Sequence, residues 1–210
     1  MVPDRLTAIF EKQRELTNRF HNIELENRIL RGSFDRKIPV DLLSFSGQET
    51  IRSHAWRVVE EVAEVLDARE RSSRADLLEE VSDVFHFVVE LMIVSGLDKI
   101  SPQVPIPPDE PQDPLTWIFE YAPDSVIYSD AGQAWLDFLR SLGMALHELK
   151  WRAWKKTPLA TDVRVFHWKL NDAFHAFIAA VKVLGFSADE LHAAYFSKNQ
   201  VNHGRIDATG

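Results

Sequence analysis

Two pairs of carboxylates have a spacing that could do chemistry: Glu61 with Glu64, and Glu80 with Asp83. On an α-helix an i, i+3 pair sits on neighbouring turns of one side, about 5 to 6 Å apart, close enough to bracket a cation. One such pair is common on a solvated helix face. Two pairs on consecutive helices are another matter. If the chain turns back near Ser72, Glu61 comes level with Asp83, each 11 residues from the turn, and Glu64 with Glu80, each 8 residues away. That is roughly 12 to 17 Å along the helices, well inside a bundle. Four carboxylates converging in a partly dry place repel one another unless protons or cations intervene. With no cysteine in the chain, a metal must be held by carboxylates or His, which favours Mg²⁺ and, next to it, Mn²⁺. Such ions leave positions for water and phosphate, polarise phosphoryl oxygens and acidify an attacking water. One ion or more would fit. The rival di-iron bundle needs Glu-x-x-His, which is missing at these positions.

Elements that would position these groups are legible in the hydrophobic periodicity. Apolar residues recur at three and four, glycine is scarce at 8 residues, and alternating runs are few, so the chain reads as an all-α helical bundle. A first helical stretch spans about Pro3 to Leu30, with a possible break near its middle, and a loop covers Gly32 to Gly47. Ser46 with Glu49 has capping-box spacing and predicts a helix to about Asp67, whose stripe is Ile51, Ala55, Val58, Val62 and Val65. Ser73 with Asp76 repeats the device and opens a helix to Ser95, apolar nearly all round from Val84 to Val94, stopped by Gly96. Six of the ten prolines lie between Ser101 and Pro114, which predicts an irregular excursion, taken as an insertion over 97–130 in a single domain of 1–210. Further helices are predicted over Ala131 to Trp154, Asp162 to Leu184, and Ser187 to His203, the last ending at Gly204.

Composition narrows the function. With 45% hydrophobic residues in 210, the chain can bury a sizeable core. The 24 Lys and Arg against 32 Asp and Glu give a net charge of −8, which argues against a nucleic-acid binder, so any phosphate contact must be local. Its start, Met1-Val2-Pro3-Asp4-Arg5, has no basic segment followed by an apolar run, and no stretch reaches the length of a membrane span. A soluble, cytoplasmic protein with no membrane partner is the expectation.

The Glu-x-x-Glu and Glu-x-x-Asp helices, with Glu80-Val81-Ser82-Asp83-Val84-Phe85-His86-Phe87 extending the second, resemble those of the all-α NTP pyrophosphatase superfamily. That group includes MazG-like proteins and the dimeric dUTPases. Near the C-terminus, Lys198-Asn199-Gln200-Val201-Asn202-His203-Gly204-Arg205 is similar to the dimeric dUTPase pattern Lys-Asn-x-x-Asn-x-x-Arg. Lys198, Asn202 and Arg205 follow i, i+4, i+7 and share a helix face, where Lys and Arg suit phosphate oxygens and Asn can both donate and accept. Gln13-Arg14-Glu15-Leu16-Thr17-Asn18 resembles the family's Gln- and Asn-bearing first helix, with Asn18 one residue beyond the family position, where Thr17 stands.

What the resemblance implies is a homodimeric enzyme hydrolysing dUTP, with dUDP as a further substrate, to dUMP and pyrophosphate. Glu61, Glu64, Glu80 and Asp83 would hold magnesium, Glu61 orienting or deprotonating the water. Gln13, Asn18, His86, Asn199 and Asn202 would face base and sugar, and Lys198 and Arg205 the phosphates. Trp151-Arg152-Ala153-Trp154-Lys155-Lys156 would close over the triphosphate or simply end a helix. Two alternatives stay open: another base, such as dCTP or a modified or purine deoxynucleotide, and a non-enzymatic bundle that binds nucleotides or a partner helix.

Overall fold

The computed structural model describes residues 4–26, 37–107, 112–124, 126–152, 154 and 159–209. They form seven α-helices and no strand: α1 Arg5–Glu26, α2 Phe45–Arg71, α3 Arg74–Ser95, α4 Pro114–Tyr121, α5 Ala131–His147, α6 Val163–Val183 and α7 Ala188–Thr209. An all-α bundle is therefore what the periodicity produces.

At its centre is the hairpin α2–α3. Ser72 ends α2 and Ser73 caps α3, with its side chain accepting from the Asp76 N–H and the Asp76 carboxylate accepting from the Ser73 N–H. Gly96 closes α3 in the left-handed conformation (φ 85°), which glycine adopts without a Cβ penalty. The stripe Ile51, Ala55, Val58, Val62 and Val65 is buried, and so is nearly all of α3 from Val84 to Val94. α3 is apolar all round because α1, α2, α6 and α7 all pack on it.

The second hairpin, α5–α6, adds an aromatic cluster. Phe85 of α3 stacks on Phe177 at 5.6 Å between centroids and meets Tyr195 edge-on at 5.6 Å, while Trp135 and Phe138 pack on the same Phe177. Each such side chain taken out of water contributes about 1.5–3 kcal/mol. This cluster fixes the back of α3 and α7, and hence the side chains on their other faces.

The helices differ from the sequence expectations at several points, and α2 runs on to Arg71, a turn beyond Asp67. α2 is capped by Ser44, whose Oγ accepts from Gly47 N at 2.9 Å, rather than by Ser46. Glu49, the expected capping-box partner, instead pairs with Arg52. Gly47 lies in the first turn of α2 because a Cβ there would come within 2.1 Å of the Asp41 carbonyl oxygen. α1 is continuous from Arg5 to Glu26, without a central break, and Pro3 and residues 27–30 lie outside the described residues.

α5 stops at His147, short of Trp154, because the following loop is drawn onto the start of α2. There Gln48, fully buried, donates to Leu42 O and Thr161 Oγ1 and accepts from Trp151 N, and Arg52 donates to the carbonyls of Leu149 and Trp151. α7 runs through Gly204 to Thr209 because α1 holds its far end, with Arg19 donating to His203 Nδ1 at 2.8 Å and pairing with Asp207. Inside 97–130, Asp113 caps the short helix α4, which buries Leu115, Trp117, Ile118 and Phe119.

Candidate active site

The turn at Ser72 brings the acidic residues of α2 and α3 together. One carboxylate oxygen from each of Glu61, Glu64 and Glu80 lies within 4.8 Å of the others. Asp83 stands beside them but is engaged elsewhere: Lys198 Nζ of α7 donates to its Oδ2 at 2.7 Å and to Glu79 Oε1 at 2.9 Å. The four acidic groups thus divide into an open triad and an aspartate already neutralised by an internal cation.

Electrostatics express the crowding. Burial, then the charges of Asp83, Glu64 and Glu80, push the Glu61 carboxyl up to about 7. Glu80 is raised by desolvation and by Glu64 and Asp83. Asp83 is raised by its own burial, with the Lys198 hydrogen bond pulling back. Burial alone would lower the Lys198 ammonium, but its hydrogen bonds to Asp83 and Glu79 hold it above its ordinary value. Oxygen-only donors at this spacing, with Glu61 and Glu80 made more basic by burial and by their neighbours, suit a hard divalent cation.

A cleft of about 290 Å³ opens beside the cluster. α1 lines it with Gln13, Leu16 and Phe20, α2 with Arg57 and Glu61, α3 with Asp83, His86, Phe87 and Glu90, and α7 with Lys198, Asn202 and Arg205. Acidic, basic and apolar side chains, the last from Leu16, Phe20 and Phe87, thus line one cleft, a combination that accepts a flat ring together with anionic groups. His86 lies in this wall, and among the described residues neither of its ring nitrogens has a hydrogen-bond partner. Burial and the Lys198 charge depress it to about 3, so the imidazole is neutral.

A family model for dUTPase matches residues 61–209, more than half of the chain and starting at the first carboxylate of the triad. The chain belongs to the all-α dUTPase family. No match was found among the curated proteins or the solved structures. As a dUTPase the protein is a nucleoside triphosphate pyrophosphohydrolase that hydrolyses dUTP, and the family generally uses a divalent metal. Among the described residues no helix is long and apolar enough to cross a membrane.

Of the residues singled out in the sequence, the dUTPase cleft gathers Gln13, Glu61, Asp83, His86, Lys198, Asn202 and Arg205, with Glu64 and Glu80 completing the acidic cluster next to it. Asn202 and Arg205 touch, Arg205 Nη1 donating to Asn202 Oδ1 at 3.4 Å. Two residues stand apart. Asn18 is exposed and not among the lining residues, while its neighbour Thr17 is buried. Asn199 is buried behind the wall, donating to the Tyr195 hydroxyl at 3.5 Å.

Trp151 lines no part of the cleft. It packs edge-on against Phe45 and donates from Nε1 to Leu43 O, while residues 153 and 155–158 lie outside the described residues. Sequence reasoning missed Arg57, Phe87, Glu90 and Tyr195. The first three carry a signal: Arg57 precedes Glu61 by one helical turn, and Phe87 and Glu90 follow Asp83 at i+4 and i+7. α1, with Gln13, precedes the stretch that the family model matches.

Proposed function

We propose that the chain hydrolyses dUTP, and dUDP as a further substrate, as a cytoplasmic homodimer loaded with Mg²⁺, releasing dUMP and pyrophosphate from dUTP. The observation that carries this reading is the position of Glu61, which belongs both to the carboxylate triad and to the wall of the cleft. Glu61, Glu64 and Glu80 would hold the ion, joined by Asp83. When bound, a divalent ion supplies positive charge to phosphoryl oxygens and lowers the pKa of water.

The chain's own side chains do the rest. Glu61 orients the attacking water and accepts its proton. The water oxygen bonds to the α-phosphorus, the bond from that phosphorus to the bridging oxygen breaks, and pyrophosphate leaves. Lys198 and Arg205, on the cleft face of α7, stabilise the phosphate oxygens as charge shifts onto the leaving group. Phe20, Leu16 and Phe87 exclude water around the base, and Gln13, His86 and Asn202 address its polar edge and the sugar.

A panel of the common deoxynucleoside triphosphates and dUTP with Mg²⁺, with products separated by chromatography, tests this. Preferential conversion of dUTP to dUMP and pyrophosphate is expected. Indifference to dUTP, or stepwise release of phosphate, would overturn it. Glu61→Gln and Asp83→Asn should each lower kcat at least about 100-fold; wild-type turnover in both would remove the carboxylates from catalysis. Light scattering should give twice the 24.1 kDa of the chain.

A further inference from the structure

Behind the cleft wall, α7 places a tyrosine that the reading above does not use. Tyr195 is fully buried, one turn before Lys198 and Asn199. Its hydroxyl lies 3.0 Å from Gln13 Oε1 and 3.1 Å from Ile9 O, and its oxygen accepts from Asn199 Nδ2 at 3.5 Å. Its ring meets the His86 imidazole edge-on at 4.2 Å and Phe85 at 5.6 Å. One residue thus touches two polar groups of the cleft wall, Gln13 and His86.

We propose that Tyr195 is the positioning residue for base selection, its hydroxyl tying back the Gln13 side-chain carbonyl so that the amide NH₂ faces the base.

The hydrogen-bond inventory supports this. A phenol has one proton. The hydroxyl has two acceptors in reach, Gln13 Oε1 at 3.0 Å and Ile9 O at 3.1 Å; Ile9 O is also served by the N–H of its own helix, so only a proton given to Gln13 Oε1 satisfies both, while Asn199 donates to the hydroxyl oxygen. Gln13 is only 3% exposed, yet it lines the cleft, and among the described residues its Nε2 has no acceptor. The two N–H groups therefore present donors where a base would lie. A pyrimidine with a carbonyl at position 4 meets them as an acceptor. One with an amino group there brings donor against donor and leaves both buried and unpaired, the kind of mismatch a hydrogen-bonding site rejects strongly. His86, held edge-on by the same ring, adds a neutral imidazole with unfilled nitrogens. The ligand class is a 4-oxo pyrimidine deoxynucleotide.

This rests on the dUTP reading, and the test separates the two. Wild-type enzyme is first assayed with dUTP and dCTP; equal kcat/KM would defeat the dUTP reading before any variant is considered. Tyr195→Phe keeps the ring contacts with Phe85 and His86 and removes only the hydroxyl. It should reduce the dUTP over dCTP selectivity at least about 10-fold, the loss falling mainly on KM for dUTP. Gln13→Glu, which replaces the donors by a carboxylate, should move selectivity the same way and further. A merely structural tyrosine would lower both substrates together and leave their ratio alone. Wild-type selectivity in Tyr195→Phe overturns the proposal, as does an equal loss on both substrates; should that variant fail to fold, unchanged selectivity in Gln13→Glu overturns it instead.

Discussion

Replacing Glu61 by Gln takes one charge out of the carboxylate cluster at nearly constant side-chain volume, and in metal-free protein it should raise stability. The folded Glu61 carboxyl titrates at about 7 against an ordinary 4.5, burial being the larger cause and Asp83, Glu64 and Glu80 the rest. At about 1.4 kcal/mol per pH unit that gap corresponds to about 3.5 kcal/mol before screening. Glu61 is only partly buried and faces the cleft, so solvent screening reduces it to about 1–2 kcal/mol. In a chain of this length that is roughly 3–6 °C in Tm. Because the folded pKa lies above the unfolded one, this residue's contribution to wild-type stability is full below pH 4.5 and is lost as pH rises to about 7. The variant has nothing to lose there. Thermal melts in EDTA should therefore coincide at pH 4.5, separate through the window, and stay apart at pH 8. Adding Mg²⁺ should stabilise the wild type more than the variant. A variant that melts at or below wild type at pH 8 in EDTA, or a gap that does not vary with pH, would refute the repulsive cluster.

Three more outcomes are expected. Gln48→Ala strips three buried hydrogen bonds and leaves Leu42 O and Trp151 N without that partner; urea unfolding should show a loss of about 2–4 kcal/mol, and less than about 0.5 kcal/mol would contradict the role of this glutamine in anchoring the 148–162 loop. His86, neutral in the fold down to about pH 3, must charge on unfolding below its ordinary 6.5. Its contribution is therefore full above pH 6.5 and falls by about 1.4 kcal/mol per unit as pH drops towards 3, a slope that His86→Phe should flatten in denaturant titrations. Lys198→Ala frees Asp83 and removes a cation from the cleft wall; kcat/KM for dUTP should fall about 100-fold or more, while Mg²⁺ still raises the Tm in binding melts.

The acidic cluster was readable in the sequence because everything that forms it is local. An i, i+3 spacing, a serine cap and a two-residue turn place Glu61, Glu64 and Glu80 within reach of one another without help from distant chain. Where distant chain decides, the sequence was silent. Ser44 takes the cap from Ser46 because Glu49 is drawn to Arg52. α5 ends early because Gln48 and Arg52, about a hundred residues away, capture the backbone of Trp151. Gly204 stays helical because Arg19 grips α7 beyond it, through Asp207. Tyr195 escaped notice for a similar reason: in sequence it is one more aromatic on an apolar stripe, and only the packing of α1 on α7 brings its hydroxyl to Gln13.

The three clustered acids, Glu61, Glu64 and Glu80, occupy a single helical hairpin, whereas the groups that face the cleft from α1 and α7 are separated by most of the polypeptide. The triad and the Gln13 and Asn202 side chains are therefore carried by different elements, joined where Lys198 of α7 holds Asp83 and where His86 of α3 enters the cleft wall. On the function proposed above, swaps at Gln13, Asn202 or the phenol behind them would alter which nucleotide is admitted while leaving the carboxylate triad itself untouched, so altered-specificity variants should be reachable in few steps.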